Sequence, residues 1–405
     1  MFYLHMVLCN LKRNKWKGIS TASICIFVFI LLNLYLTYIY NCRMQLNELP
    51  NISPIYCSIF NLNGSSQVGL EISEDLIKKL ENSTKVKNVD FSIRMVAGIG
   101  DFPIEDWNKK LNLNVAGVNS ITAVSGISLD DIHMEDDVVN FFTSSYPTCI
   151  INKSIMEKNQ LRIGDTVTLN LYYQYYDEKE YLHYAPLELL SLEIIGTMDL
   201  FNTNTLQLPP DILIPFETVR EVFHRNKIDF YADSASFYVA DPLQLNAFKD
   251  EMKSFGLLES VPTAKLSYDG IALTVRDTTF RTLASQLRQS IDALEGFFPF
   301  ISTIVVFIGY ITSFLLLNSR QKEYALMRAL GAGRGKCFLI FFLEQFFLII
   351  LGAFIGGGTA NLILKGTLEV VTTGNIFLFS YFFGCMVALW RIGKTSVIEA
   401  LFCTE

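Results

Sequence analysis

The sequence contains little charge, few histidines and no cluster of residues that would identify an enzyme. Only 18% of its 405 residues are charged, whereas 51% are hydrophobic, which is more apolar than an average soluble protein. The four histidines form no His/Cys/Asp cluster at metal-ligand spacing, so a structural metal is not expected. No Ser/His/Asp arrangement is apparent either. The composition therefore disfavours an enzyme and leaves the apolar surplus to be explained.

Two glycine-lysine stretches resemble phosphate-binding loops but lack the required spacing. Such a loop needs Gly, four residues and then Gly-Lys-Ser/Thr. In "ALMRALGAGRGKCF" (Ala325–Phe338), Leu330 stands at the first glycine position and Cys337 replaces the hydroxyl residue. In "WRIGKTSV" (Trp390–Val397), Ala388 stands at the first glycine position. The chain is therefore not expected to bind a nucleotide cofactor itself.

Four long apolar runs account for the hydrophobic surplus. Each of the first three is long enough to cross about 30 Å of hydrocarbon at about 1.5 Å per residue. The fourth centres on Ile376–Trp390, which is short, and it spans only if it starts near Thr373 or if the bilayer thins. The predicted transmembrane helices TM1 to TM4 cover residues 19–40, 297–317, 337–364 and 373–391.

The basic residues indicate which ends of these helices face the cell interior. They flank the apolar runs at three places, and by the positive-inside rule all three segments, including both termini, are cytoplasmic. Residues 1–18 are expected to form a helix on the inner leaflet or, alternatively, a disordered basic tail. Residues 41–295 hold 21 Lys/Arg against 35 Asp/Glu, and this acidic outer domain disfavours nucleic acid as a partner. The basic residues concerned are Lys12, Arg13, Lys15, Lys17, Arg320, Lys322, Arg328, Arg334, Lys336, Arg391 and Lys394.

Residues 41–275 alternate strand-like and helix-like segments, which predicts an extracytoplasmic α/β domain. Within it, residues 115–210 are β-rich and are interpreted as an inserted subdomain, whose clearest part is a hairpin of two long strands joined near "DEKE". The tyrosines of this hairpin either pack across its strands or contact a partner. Cys57 and Cys149 also lie well within this domain, where a disulfide is chemically permitted, but the sequence does not establish whether they meet.

A helical pattern leads from this domain into TM2. Residues 276–295 contain neither proline nor glycine, and Leu283, Leu287 and Ile291 recur at helical spacing. The predicted stalk helix covers residues 276–296. The sequence as a whole predicts a multi-pass α-helical membrane protein with four transmembrane helices and a large extracytoplasmic α/β domain between helices 1 and 2.

The segment between TM2 and TM3, residues 318–336, is interpreted as a compact cytoplasmic elbow, the alternative being an ordinary basic loop. Its predicted helix ends at Gly331, a residue that tolerates left-handed backbone geometry. Gly333 and Gly335 are expected to let the chain turn sharply and re-enter the membrane.

Two features of TM3 call for a structural explanation. Gly352 and Gly356 form a small-xxx-small pair, which fits helix packing either within the subunit or across a dimer. Glu344 lies about two turns into the span, where a charge is costly unless it is paired or reaches the interface. An ion pair is the preferred interpretation, with simple snorkelling and proton handling as alternatives. The candidate partners of Glu344 are Arg320, Lys322 and Arg328.

The stretch "SRQKEYALMRALGAGRGKCFLIFFLEQFFLIILGAFIGG" closely resembles the core signature of the MacB/FtsX-type ABC transporter permeases. That signature has an Arg/Lys-x-Glu element, an apolar helix, Arg-Ala-Leu-Gly-Ala, and then a span with an early Glu followed by glycines. "CIINKSIMEKNQLRIGDTVTL" and "LEIIGTMDL…DILIPFETV" are similar to the family's outer domain, and "TSVIEAL" is similar to its terminal element, with Val397 at the usual proline. The elbow residues that carry the resemblance are Glu323, Met327, Arg328, Ala329, Leu330, Gly331 and Ala332.

The resemblance implies a permease subunit in the cytoplasmic membrane of a bacterium, with an outer domain like the MacB periplasmic core. The elbow would dock on a separate ABC ATP-binding subunit, present in two copies, which binds the ATP and Mg. A second permease chain, identical or related, would complete a dimer in contact with membrane lipid. The helices would transmit motion to the outer domain (mechanotransmission) for efflux or handling of a peptide, toxin or lipid-linked client, with or without an extracytoplasmic adaptor. The alternatives are an envelope regulator that activates an extracytoplasmic hydrolase and a membrane sensor whose outer domain binds a ligand.

Overall fold

The computed structural model of the chain describes residues 10, 12–13, 15–100, 112–124, 127–134, 138–176, 181–199, 209–260, 270–364 and 368–393. The chain divides into two compact units. We call Pro50–Arg281 the outer unit, and Met1–Leu49 together with Thr282–Glu405 the membrane unit. Most of the predicted inner-leaflet helix, the "DEKE" turn and the C-terminal tail from residue 394 lie outside the described residues.

The helices and strands alternate through the outer unit, whereas the membrane unit is helical. The helices are α1 (Lys15–Ile52), α2 (Glu74–Asn82), α3 (Val138–Thr143), α4 (Lys153–Lys158), α5 (Phe216–Arg225), α6 (Leu245–Ser254), α7 (Thr278–Asn318), α8 (Gln321–Ala329), α9 (Arg334–Leu364) and α10 (Leu368–Gly393). The strands are β1 (Tyr56–Asn61), β2 (Ile72–Ser73), β3 (Val86–Ile99), β4 (Leu113–Val118), β5 (Ile132–Met134), β6 (Thr148–Asn152), β7 (Thr166–Tyr176), β8 (Leu182–Met198), β9 (Ile212–Pro215), β10 (Tyr231–Ala232), β11 (Ser234–Val239), β12 (Leu258–Glu259) and β13 (Ile271–Val275).

One large sheet organises the outer unit. Its strands follow the order β12-β13-β1-β11-β3-β4-β9-β6-β8-β5, and β7 pairs with both β3 and β8. Amphipathic helices cover one face of this sheet. Their apolar side chains pack against aromatic side chains of the strands. Phe216 of α5 stacks on Phe91 of β3 with ring centroids 5.5 Å apart, and Phe248 of α6 lies 6.2 Å from Phe237 of β11. The core therefore lies between these helices and one face of the sheet.

The β-rich stretch shares the sheet of the segments on either side of it. β7 and β8 form the expected long antiparallel hairpin, and β7 also pairs with β3. In this respect the structure differs from an inserted subdomain, since the stretch is continuous with the rest of the outer unit. Tyr172 is buried and Tyr173 packs 5.6 Å from Phe223, whereas Tyr181 is 65% exposed. Packing thus accounts for some of the hairpin tyrosines.

The two cysteines of the outer unit are far apart in the sheet. Cys57 lies in β1 and Cys149 in β6, and β11, β3, β4 and β9 separate these strands. Both are buried free thiols, and burial raises the pKa of each to about 12. They are therefore protonated, poorly reactive and not joined in a disulfide.

The membrane unit contains the predicted spans. Among the described residues, four helices are long and apolar enough to cross a membrane: Lys15–Ile52, Thr278–Asn318, Arg334–Asn361 and Val371–Arg391. With the α/β domain between the first and second of them, the predicted fold class is confirmed. The predicted stalk and TM2 form one uninterrupted helix of 41 residues, α7.

Small residues let these helices approach one another closely. A Cβ built at Gly352 of α9 would lie 2.5 Å from the Cβ of Cys25 in α1, and one built at Gly356 would lie 3.1 Å from the Cβ of Phe29. Real Cβ atoms do not approach to 2.5 Å, so only glycine fits at Gly352. Of the two alternatives drawn from the sequence, the structure shows the one in which the pair packs within the subunit.

Replacing Gly352 should therefore destabilise the membrane unit. We expect Gly352→Ala to cost about 1–3 kcal/mol, because the new methyl group forces α1 and α9 apart. The matched control is Gly358→Ala in the same helix, since a Cβ there meets no atom within 4 Å. Thermal unfolding of the purified chain in detergent measures the difference, and equal melting temperatures for the two variants would contradict the close contact.

Candidate functional site

The elbow consists of α8 and the turn that leads from it into α9. At the end of α8, the N–H of Gly331 donates to the carbonyl of Arg328, and the N–H of Ala332 donates to that of Met327, both at 3.1 Å. This pair of bonds is the Schellman motif, which requires a left-handed residue after the helix. Gly331 has that conformation, with φ of 90°.

Gly333 and Gly335 do not have the role that the sequence suggested for them. Gly331 is the elbow glycine with a positive φ, and Gly335 lies in the first turn of α9. The carbonyl of Gly333 accepts the N–H groups of Lys336 and Cys337 as that helix begins. A Cβ built on either glycine meets no atom within 4 Å. The expectation that these two residues shape the turn is corrected, because Gly331 provides the unusual backbone geometry.

A buried arginine joins the elbow to the third span. The Arg320 side chain is 2% exposed, and its Nη1 donates to Oε1 of Glu344 at 2.5 Å. Its Nε and Nη2 donate to Oε2 of Glu323 at 2.8 and 2.7 Å. The guanidinium also lies 5.0 Å from the ring centroid of Phe341. One side chain therefore connects the end of α7, the first turn of α8 and the early part of α9.

Of the three basic residues considered as partners of Glu344, Arg320 forms the ion pair. Arg328 instead donates to the backbone carbonyl of Ala332 at 3.5 Å, and Lys322 is exposed. The Glu344 side chain is 3% exposed, and among the described residues its Oε2 has no hydrogen-bond partner. The charge of Glu344 is thus compensated by a single arginine.

Glu323 extends this network to the N-terminal segment, where it forms an ion pair with Arg13. Burial acts to raise the pKa of Glu323, but the hydrogen bonds and charges of Arg320 and Arg13 outweigh it, so the pKa lies below its ordinary value. The carboxylate therefore stays ionised at neutral pH and binds both arginines. From the sequence, Arg13 indicates only topology, because nothing local points to a partner 310 positions along the chain.

The elbow presents a mixed apolar and basic surface. Leu326 and Leu330, one helical turn apart, are 58% and 80% exposed, whereas Tyr324 is buried. Large exposed apolar side chains with a polar surround are typical of interaction sites. We call this surface the elbow patch; its exposed residues are Lys322, Leu326, Ala329, Leu330, Gly331, Arg334 and Lys336.

The remaining predicted site residues are divided between buried and exposed positions. Met327 and Ala332 are half-buried and pack against the hydrophobic core of the membrane unit. In the stalk, Ile291 is buried, but Leu283 is 38% exposed. The stalk residues therefore do not all lie on one buried face, although their spacing is helical.

Contacts between α1 and α7 form a further cluster that the sequence analysis missed. Arg43 binds Glu295 at 2.6 Å, and the hydroxyl of Tyr35 donates to the carbonyl of Leu294. The partners are about 250 positions apart in the chain, so no local pattern indicates them. These contacts join the C-terminal end of the predicted stalk, next to TM2, to the first span.

Metal coordination has no candidate in the described part of the chain. There, no group of three or more His, Cys, Asp or Glu side chains could hold a metal ion. The chemistry that the elbow offers consists of ion pairs and apolar contacts.

Comparison with known proteins shows a similarity that covers the elbow and the helices on either side of it. Residues 296–398 match the family described as FtsX-like permease C-terminal. This part of the chain, which includes α8 and the Arg320–Glu344 pair, is therefore similar to the C-terminal region of FtsX-like permeases. No curated protein matches the sequence.

Solved structures similar to this chain include outer domains of transport proteins. The periplasmic region of MacB from Actinobacillus actinomycetemcomitans is 13% identical, with 56% of this chain and 92% of that one covered and a TM-score of 0.31. The extracellular domain of the noncanonic ABC-type transporter YknZ from Gram-positive bacteria is 17% identical, with 50% and 89% covered and a TM-score of 0.27. At these scores the similarities carry no information about function.

The Arg320–Glu344 pair predicts a characteristic pattern of stabilities. Arg320→Met leaves the charge of Glu344 buried and alone, which costs about 3–5 kcal/mol, whereas replacing both residues by methionine removes the uncompensated charge. We expect the double variant to unfold at a higher temperature than either single variant. Arg328→Met is the control, because Arg328 contacts a backbone carbonyl only weakly. A double variant as unstable as the two single changes added together would contradict the pairing.

Proposed function

We propose that this chain is the permease subunit of an ABC-type transport complex, and that its elbow receives force from a separate ATP-binding subunit. The observation that carries the proposal is the elbow patch on α8. Its two exposed leucines offer an apolar contact, and the same short helix is connected to the third span through Arg320. A partner that displaces α8 would therefore act on α9 as well.

The orientation of the elbow in the proposal follows from charge. Basic residues are concentrated at the elbow and before α1, and positive charge favours the cytoplasmic side. ATP-binding subunits are cytoplasmic and function in pairs, so we expect two of them with two permease chains, identical or related. In this arrangement ATP and Mg belong to the partner, and the membrane is the cytoplasmic membrane of a bacterium.

Mechanotransmission along α7 is the second element of the proposal. A continuous helix of 41 residues is about 60 Å long at about 1.5 Å per residue. Its residues Leu294 and Glu295 are tied to α1 by Tyr35 and Arg43, so movement of one helix is passed to the other. The outer domain would then act on an extracytoplasmic peptide, toxin or lipid-linked client, with or without an adaptor.

Variants of the elbow patch test the proposal. Leu330→Asp places a charge on a side chain that is 80% exposed, so it should leave the fold intact and remove an apolar contact with the partner. Gly331→Pro cannot adopt the left-handed conformation and should misplace the whole turn. Both should lower the ATPase activity of the reconstituted complex by about tenfold or more, as expected for the loss of about 1.4 kcal/mol or more of coupling.

Gly335→Ala is the matched control, since it lies in the same elbow, in regular helix and in open space. It should retain full activity. Correct membrane insertion is checked for each variant by cysteine labelling of an outer residue. Unchanged assembly and ATPase activity in both Leu330→Asp and Gly331→Pro would refute the docking role of the elbow.

A further inference from the structure

The outer unit contains a polar pocket on the face of the sheet opposite α5. Successive residues of a strand point to opposite faces, and in β3 Phe91 packs against α5. Ser92 and Arg94 alternate with the helix-facing residues, and both line a pocket of about 390 Å³. This volume lies within the range of small-molecule sites, roughly 300–1,000 Å³.

Four consecutive strands, β1, β11, β3 and β4, form the floor of this pocket. Four serines contribute hydroxyl groups to its lining, Ser58 of β1, Ser92 of β3 and Ser234 and Ser236 of β11, and the hydroxyls of Ser92 and Ser234 hydrogen-bond each other at 2.6 Å. Ser58 and Ser92 are only 3% and 7% exposed, although a sheet interior is normally apolar. The floor thus offers donors and acceptors to a polar molecule. Gln67, Asn114 and Gln174 add amide groups to its lining.

The charge of the pocket differs from that of the domain around it. Among the described residues that line it, Arg94 is the charged one and none is Asp or Glu. The surrounding residues 41–295, by contrast, hold 35 acidic against 21 basic residues. An arginine in such a lining is suited to an anionic ligand, because Asp233, the acid that contacts Arg94, is not among the described lining residues.

Asp233 holds Arg94 in place. The backbone N–H of Arg94 donates to Oδ2 of Asp233, and its Nε lies 3.7 Å from the same oxygen. That Nε is buried and has no hydrogen-bond partner among the described residues, so Asp233 positions the guanidinium without satisfying all its donors. The side chain is 43% exposed, which leaves the guanidinium accessible.

We propose that this pocket binds a small, hydrogen-bonding molecule that carries one carboxylate. Arginine recognises a carboxylate through two parallel N–H donors, with both geometric and electrostatic specificity. The serine hydroxyls and amides would bind the polar remainder of the molecule. Two sources supply this chemistry, the C-terminal end of a short peptide and a sugar acid. The site does not depend on ATPase docking, so it is tested without the partner subunit.

Calorimetric titration of the full-length chain in detergent distinguishes the sources. The probes are N-acetyl-Ala-Ala with a free carboxylate, the same dipeptide as its C-terminal amide, glucuronate and glucose. The proposal predicts that one of the two carboxylate probes binds at least about tenfold more tightly than its neutral counterpart, as expected for a charge-assisted pair. The identity of that probe assigns the source. Equal binding of charged and neutral probes, or no binding of any probe, would overturn the proposal.

Variants assign the binding to this pocket. Arg94→Gln should weaken the carboxylate probe by about tenfold or more, and Arg94→Lys should restore part of the loss. Arg162→Gln, at an exposed arginine of the same unit outside the pocket, is the control and should bind as the parent chain does. Ser236→Ala removes one hydroxyl from the floor without touching Arg94, and should also weaken binding. Parent-like affinity in both Arg94→Gln and Ser236→Ala would place the ligand elsewhere and refute the assignment.

Discussion

The buried positive charge of an arginine must be compensated by nearby carboxylates. In this protein that requirement determines the geometry of the elbow. Arg320 is excluded from solvent and binds two carboxylates from different helices, Glu323 of α8 and Glu344 of α9. Because a buried ion pair is worth little unless its geometry is maintained, α8 is confined to one orientation against the third span. Leu326 of α8 and Leu330 directly after it are therefore held in a fixed position, as the proposed transmission of force requires.

Polar contacts also join two helices of the membrane unit at a second place. Arg43 with Glu295, and Tyr35 with the carbonyl of Leu294, join α1 to α7. Elsewhere in the membrane unit, glycine permits close helix contact, as at Gly352 against Cys25. A few specific contacts thus add to the hydrophobic core of the membrane unit, and each of them can be tested by mutation.

Much of the fold can be predicted from local sequence. The features that could not be predicted depend on contacts between residues far apart in the chain. The four spans are predictable because hydropathy alone determines them. The helix stop at Gly331 was equally accessible, since only glycine adopts its left-handed backbone without strain. The choice of Arg320 among three candidate partners for Glu344, and the involvement of Arg13, depended on how separate helices pack. The same reason explains three further features that were not predicted. They are the double pairing of β7, the roles of Gly333 and Gly335, and the cluster of serines around Arg94.

Site-specific cross-linking shows whether the elbow patch contacts the ATP-binding subunit, as proposed. A photoreactive residue is placed at Leu330, which is 80% exposed, and for comparison at Ile163 of the outer unit, which is 50% exposed. In the complex isolated with its ATP-binding subunit, we expect a cross-link to that subunit from position 330 and none from position 163. A bound ATP-binding subunit that cross-links to position 163, or that never cross-links to position 330, would contradict the proposal.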